Sequence, residues 1–286
     1  MDLHDFGLAS DLEVMQRQAL ERRRLLRWVL AGAATLPLIS CGGSGGSDTA
    51  STSTGTGTGS SGTTTTTTTA GACAVIPEET GGPYPADGTN TNGGSIINVL
   101  NQTGVVRSDI RSSFNGATGV AAGVPLTIRL QLVNANAACA SLAGYAIYLW
   151  HCDRDGLYSL YSSGVTAQNY LRGVQETDST GSLSFTTIFP GCYAGRMPHV
   201  HFEVYPSLAR AASASGRVKT SQFTFPLATL NEVYTASGYT SSVRNLAQIS
   251  YATDTVFSDG TSLQMASVTG NVTDGYVVTL TIGVNG

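Results

Sequence analysis

The sequence predicts an all-β fold, a β-sandwich preceded by a signal segment and a linker. Three observations predict it. The segments after residue 120 are short and rich in Val, Ile, Thr, Tyr and Leu. Closely spaced Gly, Asn and Asp clusters, such as Asp153–Gly156 and Thr177–Gly181, interrupt them. No long amphipathic helical pattern follows the N-terminal region.

Residues 1–41 read as an export signal. Arg22, Arg23, Arg24 and Arg27 form a basic cluster of the twin-arginine type. An apolar run from Trp28 to Ile39 follows, too short for a stable bilayer anchor. It ends Leu38-Ile39-Ser40-Cys41, which looks like a lipobox. Cys41 then becomes the lipidated first residue of an exported, membrane-anchored protein on the periplasmic or cell-surface side. The alternative is an ordinary secretory signal with an incidental cysteine. Residues 42–72 are nearly all Gly, Ser, Thr and Ala, including the run Thr63–Thr69. Such a stretch buries no apolar surface and reads as a tether, spanning roughly 30 Å for ~30 residues. The folded domain is expected over residues 73–286, without internal repeat.

Within it, strands are expected at Pro125–Val133, Tyr145–Trp150, Ser182–Ile188, Val200–Val204, Gln222–Phe225 and Tyr276–Val284. Leu126-Thr127-Ile128-Arg129-Leu130-Gln131-Leu132 alternates as a half-buried strand should. Leu227–Ser237 suits a short helix. The Ala86–Asn115 stretch carries little patterning.

Cys73, Cys139, Cys152 and Cys192 remain if Cys41 carries lipid. An oxidising compartment favours pairing, and we expect Cys73 with Cys139 and Cys152 with Cys192. The alternative is one disulfide and two buried thiols. No C-x-x-C spacing supports zinc.

Charge excludes several partners. The formal net charge is −4, and residues 1–40 hold five acidic and five basic residues, so the remainder keeps −4. Lys219 is the only lysine. No basic stripe exists for a nucleic acid backbone or an anionic membrane patch.

The chemistry-bearing feature is His199-Val200-His201. After residue 40 the chain has three histidines, His151, His199 and His201. Residues i and i+2 of a strand share a face, so two imidazoles can meet one metal ion. Glu203 shares that face, which leaves open a two-His, one-carboxylate site built from His199, His201 and Glu203. Just upstream, the turn Pro190-Gly191-Cys192-Tyr193 presents a tyrosine near the pair. His151, beside the core residue Trp150, reads as a packing or supporting residue.

Four stretches together resemble the intradiol ring-cleavage dioxygenases, the family of protocatechuate 3,4-dioxygenase and catechol 1,2-dioxygenase. They are Pro77–Tyr84, Gly144–Ser159, Leu171–Ile188 with its Arg172-Gly173 and Thr177-Asp178, and Phe189–His201. The resemblance implies a sandwich holding Fe(III) through Tyr158, Tyr193, His199 and His201. Tyr158 and His199 would be equatorial. Tyr193 and His201 would be axial, with Tyr193 yielding to substrate. Arg196 and Gln222 match the family's active-site arginine and glutamine. The implied reaction uses O₂ to open a catechol-type ring between its hydroxyl-bearing carbons, giving a muconate-type product. Relatives often form dimers or larger assemblies, which allows a homo-oligomer here. A non-catalytic exported module that binds aromatics, glycans or protein is the competing class.

Overall fold

The computed structural model describes residues 74–286. The signal, the tether, Cys41 and Cys73 lie outside the described residues. Among the described residues, no helix is long and apolar enough to cross a membrane.

Eleven strands make up the domain: β1 Asp87–Asn92, β2 Ser95–Asn98, β3 Pro125–Asn134, β4 Ala140–Ser141, β5 Ala146–Trp150, β6 Arg172–Glu176, β7 Ser182–Ile188, β8 His199–Tyr205, β9 Lys219–Thr224, β10 Ser267–Asn271 and β11 Gly275–Val284. Two short helices, α1 Leu227–Val233 and α2 Thr240–Leu246, join β9 to β10. The first sheet runs β10-β11-β3, with β4 and β7 both pairing β3. β11 runs parallel to β3, and β7 antiparallel to it. The second sheet has the order β6-β5-β8-β9, antiparallel throughout. β1 and β2 form a separate hairpin. The expected all-β sandwich is the observed fold.

The alternation of β3 sets the core. Leu126, Ile128, Leu130 and Leu132 point inward and are buried, while Arg129 and Gln131 stay exposed. They join Phe185 of β7, Val278 and Ile282 of β11, and Ile147, Leu149, Val200, Phe202, Val204 and Phe223 of the second sheet. Each such side chain contributes roughly 1.5–3 kcal/mol by leaving water. β8 is buried at all seven positions. Its even residues face the sandwich core. Its odd residues, His199, His201, Glu203 and Tyr205, face the other way, under loops that cover the outer side of the sheet. That covered outer face, not the sandwich interior, holds the polar residues of interest.

One expectation is corrected and two are refined. Cys152 and Cys192 are free and buried, so the predicted Cys152–Cys192 bond is not formed. Cys152 Sγ donates toward the Gly191 carbonyl at 3.5 Å, and Cys192 Sγ toward the Arg196 carbonyl at 3.4 Å. Each thiol is occupied by a loop carbonyl instead. Cys139 is disulfide-bonded. Thus the alternative with two buried thiols holds. The helix expected over Leu227–Ser237 stops at Val233, and a second one follows at Thr240–Leu246. Gly238, at φ +94°, lies in the turn between them. Finally, the unpatterned stretch after Ala86 contains the β1–β2 hairpin, turned through Gly93 and Gly94, both at positive φ.

Candidate metal centre

Strand register builds the floor of the site. Trp150 pairs with Arg172 across β5–β6 and with His201 across β5–β8, and His201 pairs with Gln222 across β8–β9. One row across the outer face therefore reads Arg172, Trp150, His201, Gln222. Trp150 and His201 stack with ring centroids 4.9 Å apart at 4°. His199 stands two residues along, its Nε2 3.1 Å from His201 Nε2.

Two loops bring tyrosines to this floor. After β5, the Asp153 carboxylate accepts the N–H groups of Asp155 and Leu157, winding the chain into the turn that carries Tyr158. Tyr158 is fully buried, its Oη 3.5 Å from His199 Nε2. Before β8, the Pro190–Tyr193 turn is fastened to α2: Cys192 N donates to Ser242 Oγ, and Asn245 donates to the Cys192 carbonyl. Tyr193 is half-buried, its Oη 3.3 Å from His199 Nε2. The two loops touch at Gly156, where φ is +85° and a Cβ would lie 2.9 Å from Tyr193 Cβ. Tyr158, Tyr193, His199 and His201 thus meet in one place, as the sequence groups them.

Hydrogen bonding fixes which atom of His199 is available. His199 Nδ1 donates to the Met197 carbonyl at 2.6 Å, so the lone pair sits on Nε2, facing the other three rings. His201 Nδ1 makes no hydrogen bond of normal geometry, although the Thr80 carbonyl is near enough to raise its basicity. Burial, then the Arg196 charge, holds both imidazoles well below the usual histidine range. Burial and the neighbouring Tyr193 hold the Tyr158 phenol well above its usual range. Without a cation Tyr158, His199 and His201 are neutral. A cation among them reverses the preference of the phenols, while neutral imidazoles are already donors.

Arg196 is buried, not a surface charge. Its Nε donates to Asp254 Oδ2 at 3.0 Å and its Nη2 to Gln222 Oε1 at 2.7 Å. Gln222 Nε2 donates to the Thr80 carbonyl at 2.8 Å. Burial alone lowers the Arg196 pKa, but Tyr193 and Asp254 outweigh it and leave it raised.

Glu203 does not join the histidines. Its carboxylate accepts from Tyr205 Oη at 2.6 Å and lies 3.5 Å from Arg217. Burial, with Asp87 beside it, pushes the Glu203 carboxyl up to about 8. Among the described residues, no group of three His, Cys, Asp or Glu side chains could hold a metal. The alternative site of His199, His201 and Glu203 is therefore not formed. Glu203 stands one pleat further along β8, about 6.6 Å away, where Tyr205 and Arg217 hold it. His151 is spent too: Nδ1 bonds the Cys152 carbonyl and Nε2 bonds Thr187 Oγ1, both at 2.7 Å.

Sequence reasoning gave no role to three residues beside the cluster. Tyr84 lies 5.0 Å from the Tyr158 ring and 5.1 Å from the Tyr161 ring. Arg172, 1% exposed, donates to the Tyr84, Pro85 and Ser159 carbonyls and pins this entry segment over the sheet. Asp254 is 58 positions from Arg196. Arg172 lies in the Leu171–Ile188 stretch and Tyr84 closes Pro77–Tyr84, so both belong to segments that carry the family resemblance. Asp254 had no local signal, since burial and pairing across that separation leave no pattern in the chain.

The family model described as "Dioxygenase" matches residues 104–204, which include all four converging residues. No curated protein matches the chain in sequence. Among solved structures, an intradiol ring-cleavage dioxygenase from Tetranychus urticae is 22% identical, with 74% of this chain and 95% of that chain covered and a TM-score of 0.55. A second dioxygenase crystal structure gives 22% identity, the same coverages and a TM-score of 0.54. At such identity the likeness concerns the fold alone. Sequence motifs, family model and fold agree that the intradiol ring-cleavage dioxygenases are the family this chain resembles.

Proposed function

We propose that the protein is a non-haem Fe(III) dioxygenase that cleaves a catechol-type ring between its two hydroxyl-bearing carbons, giving a muconate-type product. One observation carries the reading: two phenol oxygens and the Nε2 atoms of two neutral imidazoles converge on one point. Two hard anionic oxygens with two imidazoles suit ferric iron. The residues present fit the metal, and Tyr158, Tyr193, His199 and His201 would hold it. Bound there, ferric iron would supply the Lewis acidity and electron-accepting capacity that let a catecholate react with O₂.

The other roles belong to the chain. Tyr193 is the more accessible phenol, so its Oη is placed to take a proton from an incoming catechol hydroxyl. Tyr158, locked in the buried turn, stays. Arg196 offers positive charge to a ring that becomes electron-rich, in surroundings that screen it poorly. Gln222 holds one edge of that guanidinium. Trp150 keeps the His201 ring in plane. Tyr84 and Tyr161 give an aromatic wall beside Tyr158. In the same proposal the twin-arginine pattern and Cys41 export the enzyme and tether it by lipid.

The test is to load the full chain with ferric iron, add a panel of catechols without O₂, then admit O₂. The reading expects a shift of the visible band with at least one catechol, followed by O₂ uptake and a muconate-type product. Iron-loaded protein that binds catechols without consuming O₂ would replace it with a binding module.

A further inference from the structure

We propose that Asp254 is a positioning residue for ring cleavage: its carboxylate sets the plane and reach of the Arg196 guanidinium and, through it, the amide of Gln222. The inference rests on the ring-cleavage reading above.

Asp254 is fully buried and accepts four hydrogen bonds. Oδ1 takes the N–H groups of Val256 and Phe257 at 2.8 and 3.1 Å. Oδ2 takes Arg196 Nε at 3.0 Å and the Met197 N–H at 2.6 Å. All four partners are donors, so the group is satisfied as a carboxylate. The two bonds on Oδ1 anchor it to its own segment, and it cannot follow a drifting arginine. The two on Oδ2 grip both the side chain of Arg196 and the backbone of the next residue. The guanidinium is therefore held at its Nε edge by Asp254 and at Nη2 by Gln222, whose own amide is tied to Thr80. Neither contact uses Nη1.

The same anchor places Phe257. Its N–H is bound by Asp254, and its ring lies 6.0 Å from the Arg196 Cζ and 6.4 Å from the His199 ring. One carboxylate thus fixes a cation and an aromatic edge of the ligand cluster.

A stability role alone accounts poorly for this pair. Both partners are almost without solvent exposure, at 2% and 0%. Taking two charges out of water offsets most of their attraction, and apolar replacements of such pairs are often neutral or stabilising. A fixed, preorganised positive charge beside a reacting ring is what such an arrangement does provide.

The test uses the iron-loaded full chain and four proteins: wild type, Asp254→Asn, Arg196→Gln and the double variant. Asn cannot satisfy four donors, since one of its own corners donates. The expected result is a loss of about 100-fold in kcat for Asp254→Asn, the scale of a misplaced catalytic group. The visible iron band and iron content stay as in wild type. In the Arg196→Gln background, the Asp254→Asn change costs less than about twofold more, because residues acting as a unit are not additive. In the metal-free protein, the Arg196 Nε–H exchanges slowly by NMR in wild type and fast in Asp254→Asn. Should Asp254→Asn fail to fold, Asp254→Glu keeps the charge but moves it by one methylene, and still loses about tenfold with the iron band intact. An active wild type with Asp254→Asn or Asp254→Glu within twofold of it, or losses that multiply in the double variant, overturns the inference. A wild type that neither binds iron nor opens a catechol overturns the ring-cleavage reading instead.

Discussion

Replacing Gly156 by Ala adds one methyl group where the two tyrosine loops touch. Two costs follow from the structure. The first is backbone: φ is +85°, and a side chain there costs about 1–2 kcal/mol. The second is steric, since the new Cβ would lie 2.9 Å from Tyr193 Cβ, inside the 3.4 Å at which ordinary contact begins. Overpacking of that kind costs about 1–3 kcal/mol. Gly164 separates the two. Its φ is also +85°, yet a Cβ there meets nothing within 4 Å. In urea denaturation of the metal-free protein at neutral pH, Gly164→Ala should lose about 1–2 kcal/mol and Gly156→Ala about 2–5 kcal/mol. Gly156→Ala should also weaken ferric binding, because the yielding neighbour is a proposed ligand, whereas Gly164→Ala should not. If the two variants lose the same stability and bind iron alike, the contact at Gly156 does not position Tyr193.

Other outcomes follow from burial. Arg172→Met strips the Tyr84 and Ser159 carbonyls of their donor, while Pro85 keeps Tyr148 Oη. Urea midpoints should report a loss of about 2–4 kcal/mol, and no loss would deny that the entry segment depends on Arg172. Burial holds the Cys152 thiol well above its usual range and pushes the Cys192 thiol up to about 12. Neither should react with a thiol reagent at pH 8 until the domain unfolds. His151 is buried neutral, its pKa lowered to about 4 by burial. The unfolded state takes up a proton near pH 6.5 that the folded state refuses. The contribution of His151 is therefore intact above about pH 6.5 and lost as pH falls toward 4, by about 1.4 kcal/mol per pH unit. In the metal-free protein His151→Gln should make that fall shallower by one proton. A His151 ring titrating near 6.5 by NMR would contradict it.

What the sequence made legible was local. Alternation in Leu126–Leu132 places β3, and the i, i+2 spacing of His199 and His201 puts both on one face of β8. The two tyrosines needed family motifs, because a lone tyrosine in a β-rich chain reads equally as core. What stayed hidden depends on contacts between distant segments. Asp254 meets Arg196 only after α1 and α2 fold back over the β8 loop. The free state of Cys152 and Cys192 is decided by which carbonyls the loops offer them. The β1–β2 hairpin leaves little trace in the sequence because Asn, Thr and Gly dominate it, and its place is secured by Asn92 and Asn90 bonding to Leu160 and Tyr161. Glu203 is the opposite case: its spacing suits a metal ligand, but Tyr205, Arg217 and Asp87 hold it elsewhere.

A titration of the metal-free full chain with ferric ion, followed by visible absorption, reads the central feature most directly. Four converging donors of which two are phenols should take up one iron per chain. The spectrum should show an intense tyrosinate-to-iron band, weakened in Tyr158→Phe and in Tyr193→Phe. Iron bound with no such band, or a band indifferent to both substitutions, would mean that the two phenols do not serve the metal.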